Sequence, residues 1–451
     1  MSKKKKTIEE LLNEAMTFTE EQAYEVPKNW IWVKSEFVAK WGSGGTPSRK
    51  KNEYYNGSIP WLKTGELRDK IIFDSEEKIT EEGLKKSSAK LFPKDSVAIA
   101  MYGATIGRLG ILGMDAATNQ ACAVGVPYPV TDKKFMFYYF LSQRKKLIEM
   151  GKGGAQPNIS QTIIKEFPYP LPTLREQKCI VEKIERLLEK IEEAKALIEG
   201  AKETFELRRT AILDKAFRGE LNCNIYNQNS GKEQPYGIPE NWVWKRFDDI
   251  AKVCSNLVDP KLYGQLPHIA PDNIGKGTGS LLEYKTIEEA KVKSSKHYFY
   301  EGQILYSKIR PYLSKVVVAE FDGLCSADMY PIETDLNTKY LFWYMLSPVF
   351  TEQASTAGSR SVLPKINKKE LGKIFIPVPS EHIQEEIVSF IEKALQEESV
   401  TKSLLEDALE KVEQTKQSVL FKAFRGELGT NDSTEESAIE LLKEVLQEKV
   451  K

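Results

Sequence analysis

The residue types that could hold a metal or attack a bond are few in this chain, and their spacing recommends none of them. The three histidines, His268, His297 and His382, form no ligand pair, and the five cysteines (Cys122, Cys179, Cys223, Cys254, Cys325) include no Cys-x-x-Cys unit. Structural zinc needs such pairs, so scattered thiols read as free cysteines in a reducing cytoplasm. No Gly-x-x-x-x-Gly-Lys-Ser/Thr loop is present to cradle phosphates. Gly275-Lys276-Gly277-Thr278-Gly279 is glycine-rich but lacks a strand-then-helix frame, and it reads as a flexible loop. Phe167-Pro168-Tyr169-Pro170 only loosely echoes the Asn/Asp-Pro-Pro-Tyr/Phe string of amino-methyltransferases. Acidic pairs such as Asp248-Asp249 read as surface, and no Ser-His-Asp or Cys-His set emerges. The chain reads as a binder, not a catalyst.

What would position a binding surface is written twice. Lys215-Ala216-Phe217-Arg218-Gly219-Glu220-Leu221 recurs at Lys422-Ala423-Phe424-Arg425-Gly426-Glu427-Leu428, a shift of 207 residues. The same shift relates Pro170-Leu171-Pro172 to Pro377-Val378-Pro379, and Pro157 and Ile159 to Pro364 and Ile366. Near the start of each copy, Tyr24-Glu25-Val26-Pro27-Lys28-Asn29-Trp30-Ile31-Trp32 faces Tyr236-Gly237-Ile238-Pro239-Glu240-Asn241-Trp242-Val243-Trp244, shifted by 212. A period this long exceeds any solenoid unit and marks a duplicated domain with its connector. At 451 residues the chain is long enough for two such domains.

Each copy divides into a mixed part and a helix. Ile180, Ile184, Leu187, Ile191, Ala194, Ile198, Ala201 and Phe205 step by four and three, the period of a coiled-coil seam. A helix from Leu174 to Asp214 would be about 60 Å long. The second copy offers Ile387, Ile391, Ala394, Glu398, Thr401, Leu405, Ala408 and Val412, apolar at its ends and polar in the middle. A pseudo-twofold relation would make the two helices each other's antiparallel partner. Pro172 and Pro379 punctuate their entries, Gly219 and Gly426 their exits. The mixed parts carry short β-branched runs such as Val97-Ala98-Ile99-Ala100 and Val316-Val317-Val318, broken by Gly, Pro, Asn and Asp. One aromatic helix follows in each, around Phe135–Leu141 and Tyr340–Leu346, and reads as core.

The expected division is therefore 1–20, a tail and short helix; 21–173, a first mixed domain; 174–221, a long helix; 222–235, a linker; 236–379, a second mixed domain; 380–428, a second long helix; and 429–451, a terminal helix. Glu10-Leu11-Leu12 and Glu440-Leu441-Leu442 echo one another, as if the termini meet and close a circular arrangement. No apolar run approaches a membrane span, and no signal-peptide core follows Lys3-Lys4-Lys5-Lys6. The formal net charge is zero, which weighs against a strong electrostatic grip on nucleic acid. The charges are unevenly spread, however. Residues 20–172 hold 22 Lys/Arg against 17 Asp/Glu, while 380–428 hold 6 against 11. The mixed domains are mildly basic and one connector is acidic.

The motifs, taken in order, resemble the specificity subunit of type I restriction-modification systems. In the first copy they are Gly45-Thr46-Pro47-Ser48, Tyr54-Tyr55, Ile59-Pro60-Trp61, Gly65-Glu66-Leu67, Gly103-Ala104-Thr105-Ile106-Gly107, Thr118-Asn119-Gln120, Gln156-Pro157-Asn158-Ile159-Ser160 and Glu176-Gln177. In the second they are Leu305-Tyr306-Ser307-Lys308-Ile309-Arg310-Pro311, Pro377-Val378-Pro379 and Gln384. The match spans nearly the whole chain. The second copy lacks the Gly-Thr-Pro-Ser and Ile-Pro-Trp strings, with Asn256-Leu257-Val258-Asp259-Pro260 near the corresponding place, and Ile383 replaces the Glu before its Gln. The first departure suggests that the two domains read different sequences.

The resemblance implies an α+β protein. Two mixed target recognition domains would be separated by two long antiparallel coiled-coil helices in a pseudo-twofold, circular arrangement. Each domain would read one half of a bipartite site in double-stranded DNA, with the spacer set by helix length. Half-sites about 34 Å apart fall within the reach of such helices. It further implies two methyltransferase subunits docked on the helices and restriction subunits with motor and nuclease activity. S-adenosylmethionine, ATP and Mg2+ would belong to those partners, and this chain would bind no cofactor, metal or membrane. Two alternatives stay open: the recognition part of a fused methyltransferase-nuclease, and a helical protein-binding scaffold without DNA readout.

Loop donors that suit base edges are Ser43, Gly44, Thr46, Lys63, Thr64, Tyr102, Thr105, Arg108 and Gln156 in the first domain. In the second they are Tyr306, Ser307, Lys308, Arg310, Ser359 and Arg360. Lys50, Lys51, Lys293 and Lys296 would suit phosphates. Helix packing or partner-subunit contact falls to Ile180, Ile184, Leu187, Ile191, Phe217, Arg218, Ile387, Ile391, Phe424 and Arg425.

Overall fold

The structure, a computed structural model, describes residues 6–17, 22–151, 158–222, 234–357 and 364–450. The chain forms two compact units, Met1–Leu197 with Ala408–Lys451, and Ile198–Asp407. The division falls inside both long helices, Leu174–Phe217 and Glu381–Ala423. Each unit is mixed α/β.

In the first unit Ile31–Lys34 pairs antiparallel with Pro168–Leu171, joining the domain's first and last strands. A five-stranded sheet runs in the order Ala39–Ser43, Cys122–Pro127, Val97–Ala100, Leu109–Leu112, Lys70–Ile72. A four-stranded sheet runs Glu77–Ile79, Tyr55–Leu62, Ala116–Thr118, Leu91–Phe92. The central strand shows why the sequence lacks simple alternation here. Val97 and Ile99 face the cluster built on the aromatic helix, while Ala98 and Ala100 face a second apolar cluster. Both faces are core, so every residue is apolar.

The second unit repeats this plan. Val243–Arg246 pairs with Phe375–Val378. One sheet runs Ala251–Val253, Met329–Thr334, Ile304–Ser307, Val316–Val318, and the other Leu257–Val258, Lys296–Phe299, Gly323–Cys325, Pro267–Ile269, Lys285–Thr286. The parallel pairs Trp61↔Ala117 and His268↔Leu324 stand 207 residues apart on both sides. Leu266-Pro267-His268-Ile269, and not Asn256–Pro260, is thus the second copy of Ile59-Pro60-Trp61-Leu62. The second copy also differs by a strand at each sheet's edge.

The aromatic helices Lys133–Ser142 and Thr338–Met345 bury most of their rings. Each is tied to the long helix behind it by a buried glutamine. Gln177 accepts from the Asp132 amide at 2.7 Å and donates to the carbonyls of Val130 and Pro172. Gln384 accepts from the Asn337 amide at 3.0 Å and donates to the Pro379 carbonyl. Asp132 and Asn337 are themselves the N-caps of the aromatic helices, so the glutamine serves an amide the helix start leaves unpaired.

The long helices bury their apolar stripes unevenly. Ile180 and Ile184 lie fully inside the first unit's core, and Ile387 and Ile391 inside the second's. Leu187 and Ile191 are only half-buried, and Leu197, Leu207, Val400 and Leu404 are exposed. The seam expected between the two helices is therefore covered chiefly toward both ends of each helix, with Phe205 also buried, and lies more open in the middle. Their register is antiparallel within each unit: Glu192 meets Lys416 and Lys195 meets Glu413 in the first, and Lys202 meets Glu406 in the second. Exposed pairs like these contribute at most about 1 kcal/mol each.

The repeated seven-residue string closes each unit. Phe424 packs edge-on against Phe135 and Tyr139 at 5.1 and 5.2 Å, and Phe217 against Tyr340 and Tyr344 at 5.3 and 5.1 Å. Arg425 lies over Tyr24 at 5.0 Å and Arg218 over Tyr236 at 4.5 Å. Gly426 and Gly219 have φ of 74° and 76° and abut Pro27 and Pro239 so closely that a Cβ would clash. The start of one copy is thus sealed by the end of the other. Beside it the terminal helix Ala438–Val450 packs on Ile8–Ala15. Phe217 and Phe424 are core residues of their own units, each about 1% exposed, and do not face outward.

Gln177→Leu and Gln384→Leu each strand a buried amide and should cost about 2–3 kcal/mol in urea unfolding. A loss below ~0.5 kcal/mol would contradict this account of the glutamine tie. Gly426→Ala combines a strained φ with a clash and should cost at least ~1 kcal/mol, read as a lower Tm.

Candidate nucleic-acid interface

Backbone hydrogen bonds gather the loops at one end of each mixed domain. In the first domain Gly45 N–H donates to Thr118 O (2.8 Å), Asn119 N–H to Leu62 O (2.9 Å), Met101 N–H to Ala121 O (2.8 Å) and Ile159 N–H to Met101 O (2.8 Å). Segments 43–46, 62–66, 101–108 and 118–121 therefore border one another. In the second domain Ser326 N–H donates to Ile269 O (2.8 Å), Lys308 N–H to Asp328 O (3.0 Å) and Ile366 N–H to Lys308 O (2.9 Å). These three bonds repeat the last three of the first domain at a shift of 207. One backbone frame carries two sets of side chains.

Small residues let the first cluster close. A Cβ on Gly44 would overlap Thr118, and one on Gly45 would overlap Ser88. Trp61, buried in its strand, donates to the Gly45 carbonyl at 2.9 Å and anchors the glycine turn from below. Thr46 donates to the exposed Gln120 at the cluster's rim. Asn119 is consumed internally, accepting from the Ala121 amide at 3.2 Å and the Cys122 thiol.

Ser43, Thr46, Lys63, Thr64 and Thr105 are half-buried, Tyr102 and Arg108 are exposed, and Gly44 is buried. Lys63 is engaged: its Nζ lies 2.9 Å from Glu77, which also binds Arg49 at 2.6 Å. Those hydrogen bonds, Arg49 first, hold the Glu77 carboxyl below its ordinary range, and the Glu77 bond raises the Lys63 ammonium. Gln156, Ser359 and Arg360 lie outside the described residues.

In the second domain two expectations need correction. Tyr306 is 1% exposed, edge-on to Phe350 at 5.8 Å, and belongs to the core. Ser307 is buried too, its hydroxyl donating to the Ile309 carbonyl at 3.1 Å. The strand Ile304–Ser307 has apolar clusters on both faces, with Ile304 and Tyr306 in one and Leu305 in the other. It therefore has no outward face on which to present a reader. Lys308 is half-buried and donates to the Ala327 carbonyl at 2.6 Å, whereas Arg310 is exposed. Of the lysines assigned to phosphates, Lys50 and Lys293 are exposed, Lys51 donates to the Tyr54 hydroxyl, and Lys296 is buried against Ser294.

The glycine-rich segment 275–279 is pinned, not loose. Gly275 N–H donates to Ser280 O, Gly277 N–H to Leu313 O, and the Thr278 carbonyl accepts from Arg209 at 2.7 Å. It buttresses the loop that holds Arg310, a role invisible in its composition. Among the described residues no three His, Cys, Asp or Glu side chains group to hold a metal ion, and no helix is long and apolar enough to cross a membrane.

The profile of the type I restriction modification DNA specificity domain matches residues 27–202 and again 239–411. The EcoDI type I restriction enzyme specificity subunit of Escherichia coli is 42% identical over 311 residues, 65% of this chain and 70% of that one. The MjaIX specificity subunit of Methanocaldococcus jannaschii is 25% identical over 83% of this chain and 89% of its own. In fold, the HsdS subunit of Thermoanaerobacter tengcongensis superposes with a TM-score of 0.59, at 19% identity, over 91% of this chain and all of that one.

Among the described residues the Tyr306 hydroxyl has no hydrogen-bond partner, so Tyr306→Phe should leave stability unchanged or raise it by up to about 1 kcal/mol. The methylated sequence in cells should not change. Altered target bases with a normal melting curve would restore Tyr306 as a reader.

Proposed function

The chain belongs to the type I restriction modification DNA specificity family, and from that premise we propose that it reads a bipartite site in double-stranded DNA without catalysing a reaction itself. The observation that carries the proposal is the pair of loop clusters. They share three backbone hydrogen bonds at a constant shift and differ in the side chains hung on them. A frame held constant while its polar tips vary suits two partners of one class and different detail, such as two half-sites of one duplex. Major-groove edges present such detail, because each base pair offers its own pattern of donors and acceptors.

Sequence-neutral attraction is small for this chain. Net charge is zero, so few counterions are released and binding by the isolated chain is weak. Affinity would come from assembly with two methyltransferase subunits on the long helices, with restriction subunits joining that complex. Those partners would supply S-adenosylmethionine, ATP and Mg2+ and the methylation and cleavage chemistry, in the cytoplasm. The paired domains would choose where it happens.

Mapping methylated bases in cells that carry the methyltransferase partner, with and without this chain, tests the reading. A bipartite motif should appear only when the chain is present, and the purified chain alone should transfer no methyl group to DNA. A motif that persists unchanged in its absence would contradict the proposal.

A further inference from the structure

One loop of the second domain holds an arginine in left-handed backbone where the first domain has a glycine. The loop between Val97–Ala100 and Leu109–Leu112 corresponds, at the shift of 207, to the loop between Ile304–Ser307 and Val316–Val318. Each turns through two left-handed positions. In the first domain they are glycines, Gly103 (φ 83°) and Gly107 (φ 76°); in the second they are Arg310 (φ 51°) and Ser314 (φ 46°). The turn is otherwise alike, since Ile106 N–H donates to Gly103 O and Leu313 N–H to Arg310 O.

Left-handed backbone disfavours residues other than glycine and persists where surroundings enforce it. Ser314 has a structural reason to be there, because its hydroxyl pairs with Thr351 inside the domain at 2.6 Å. Arg310 has none of that kind. Its amide donates to the Pro364 carbonyl at 2.8 Å, which fixes the backbone. Its side chain is exposed, and no acid, carbonyl or ring engages it among the described residues.

The other end of the loop shows the reverse. Lys315 is engaged, donating to the Pro271 carbonyl at 2.6 Å beside Asp272. Its counterpart Arg108 is exposed and without a side-chain partner among the described residues. Among the described residues each loop thus keeps one arginine whose side chain is unengaged, at opposite ends of the same turn.

We propose that Arg108 and Arg310 are the guanine-reading residues of the two domains, each offering its guanidinium fork to O6 and N7 of one guanine in its own half-site. The fork matches that edge with two hydrogen bonds, and lysine cannot reproduce the geometry. Because the arginines occupy different ends of one loop, the guanine they select falls at different offsets within the two half-sites. This assignment rests on the DNA-reading function proposed above.

The test maps methylated motifs in cells carrying the methyltransferase partner and, in turn, the wild-type chain, Arg310→Ala, Arg310→Gly, Arg310→Lys and Arg108→Ala. Arg310→Ala should relax one guanine of one half-site by roughly ten- to a hundredfold in selectivity and leave the other half-site intact. Arg108→Ala should do the same to the opposite half-site. Arg310→Gly installs the residue of the first copy, so it should fold at least as stably as wild type and still lose that guanine. Arg310→Lys should lose most of the selectivity. A wild-type bipartite motif unchanged by Arg310→Ala and Arg108→Ala would overturn the arginine assignment alone, as would a uniform loss of methylation without a change of motif. A wild-type map with no motif dependent on this chain would overturn the underlying reading with it.

Discussion

Everything else in either unit depends on the seal made by a phenylalanine at the end of a long helix. Phe424 and Phe217 each fill a slot between two aromatic rings of the helix that backs the mixed domain. The following arginine covers a tyrosine, and the glycine after it turns tightly against a proline. Aromatic pairs of this kind contribute about 0.5–1.5 kcal/mol beyond the area they bury, and each slot holds two. With the aromatic helix fixed on one side by this seal and on the other by Gln177 or Gln384, the sheets that rest on it are fixed as well. The loop clusters then have a rigid base.

The arrangement explains which parts of the chain repeat. The string 215–221 and the Tyr-x-x-Pro-x-x-Trp-x-Trp string at 236–244 touch each other, as do 422–428 and 24–32. Each must fit the same counterpart, so neither can drift alone. Among the described residues the side chain of Arg310 has no internal partner, and it is free to differ from Gly103. Constancy and variation follow from what each residue touches.

The duplication, the long helices and the aromatic helices were legible in the sequence because they rest on local pattern: a repeated string, a 3.5-residue period, a run of rings. The mutual contact of the repeated strings was not, since the residues that meet lie hundreds of positions apart in the first unit. The second copy of Ile59-Pro60-Trp61 is hidden for a different reason. Trp61 and His268 share a place in a parallel strand pair, yet their side chains have little in common. Hydrogen-bond register, at the constant shift of 207, reveals them as equivalent. Tyr306 reads as a loop donor in the sequence but lies in a strand with core on both sides, which has no outward face. At the loop tips, exposure decides which polar residue can meet a ligand, and exposure is a property of the fold.

The central claim is that frame and reading are separable in this chain. Replacing residues 21–173 by the corresponding domain of another specificity subunit, then mapping methylated bases with the same methyltransferase partner, tests it most directly. One half-site should change to the donor's while the spacer length and the other half-site stay as they were. A site unaltered by the exchange, or one changed in both halves and in spacing, would contradict the account.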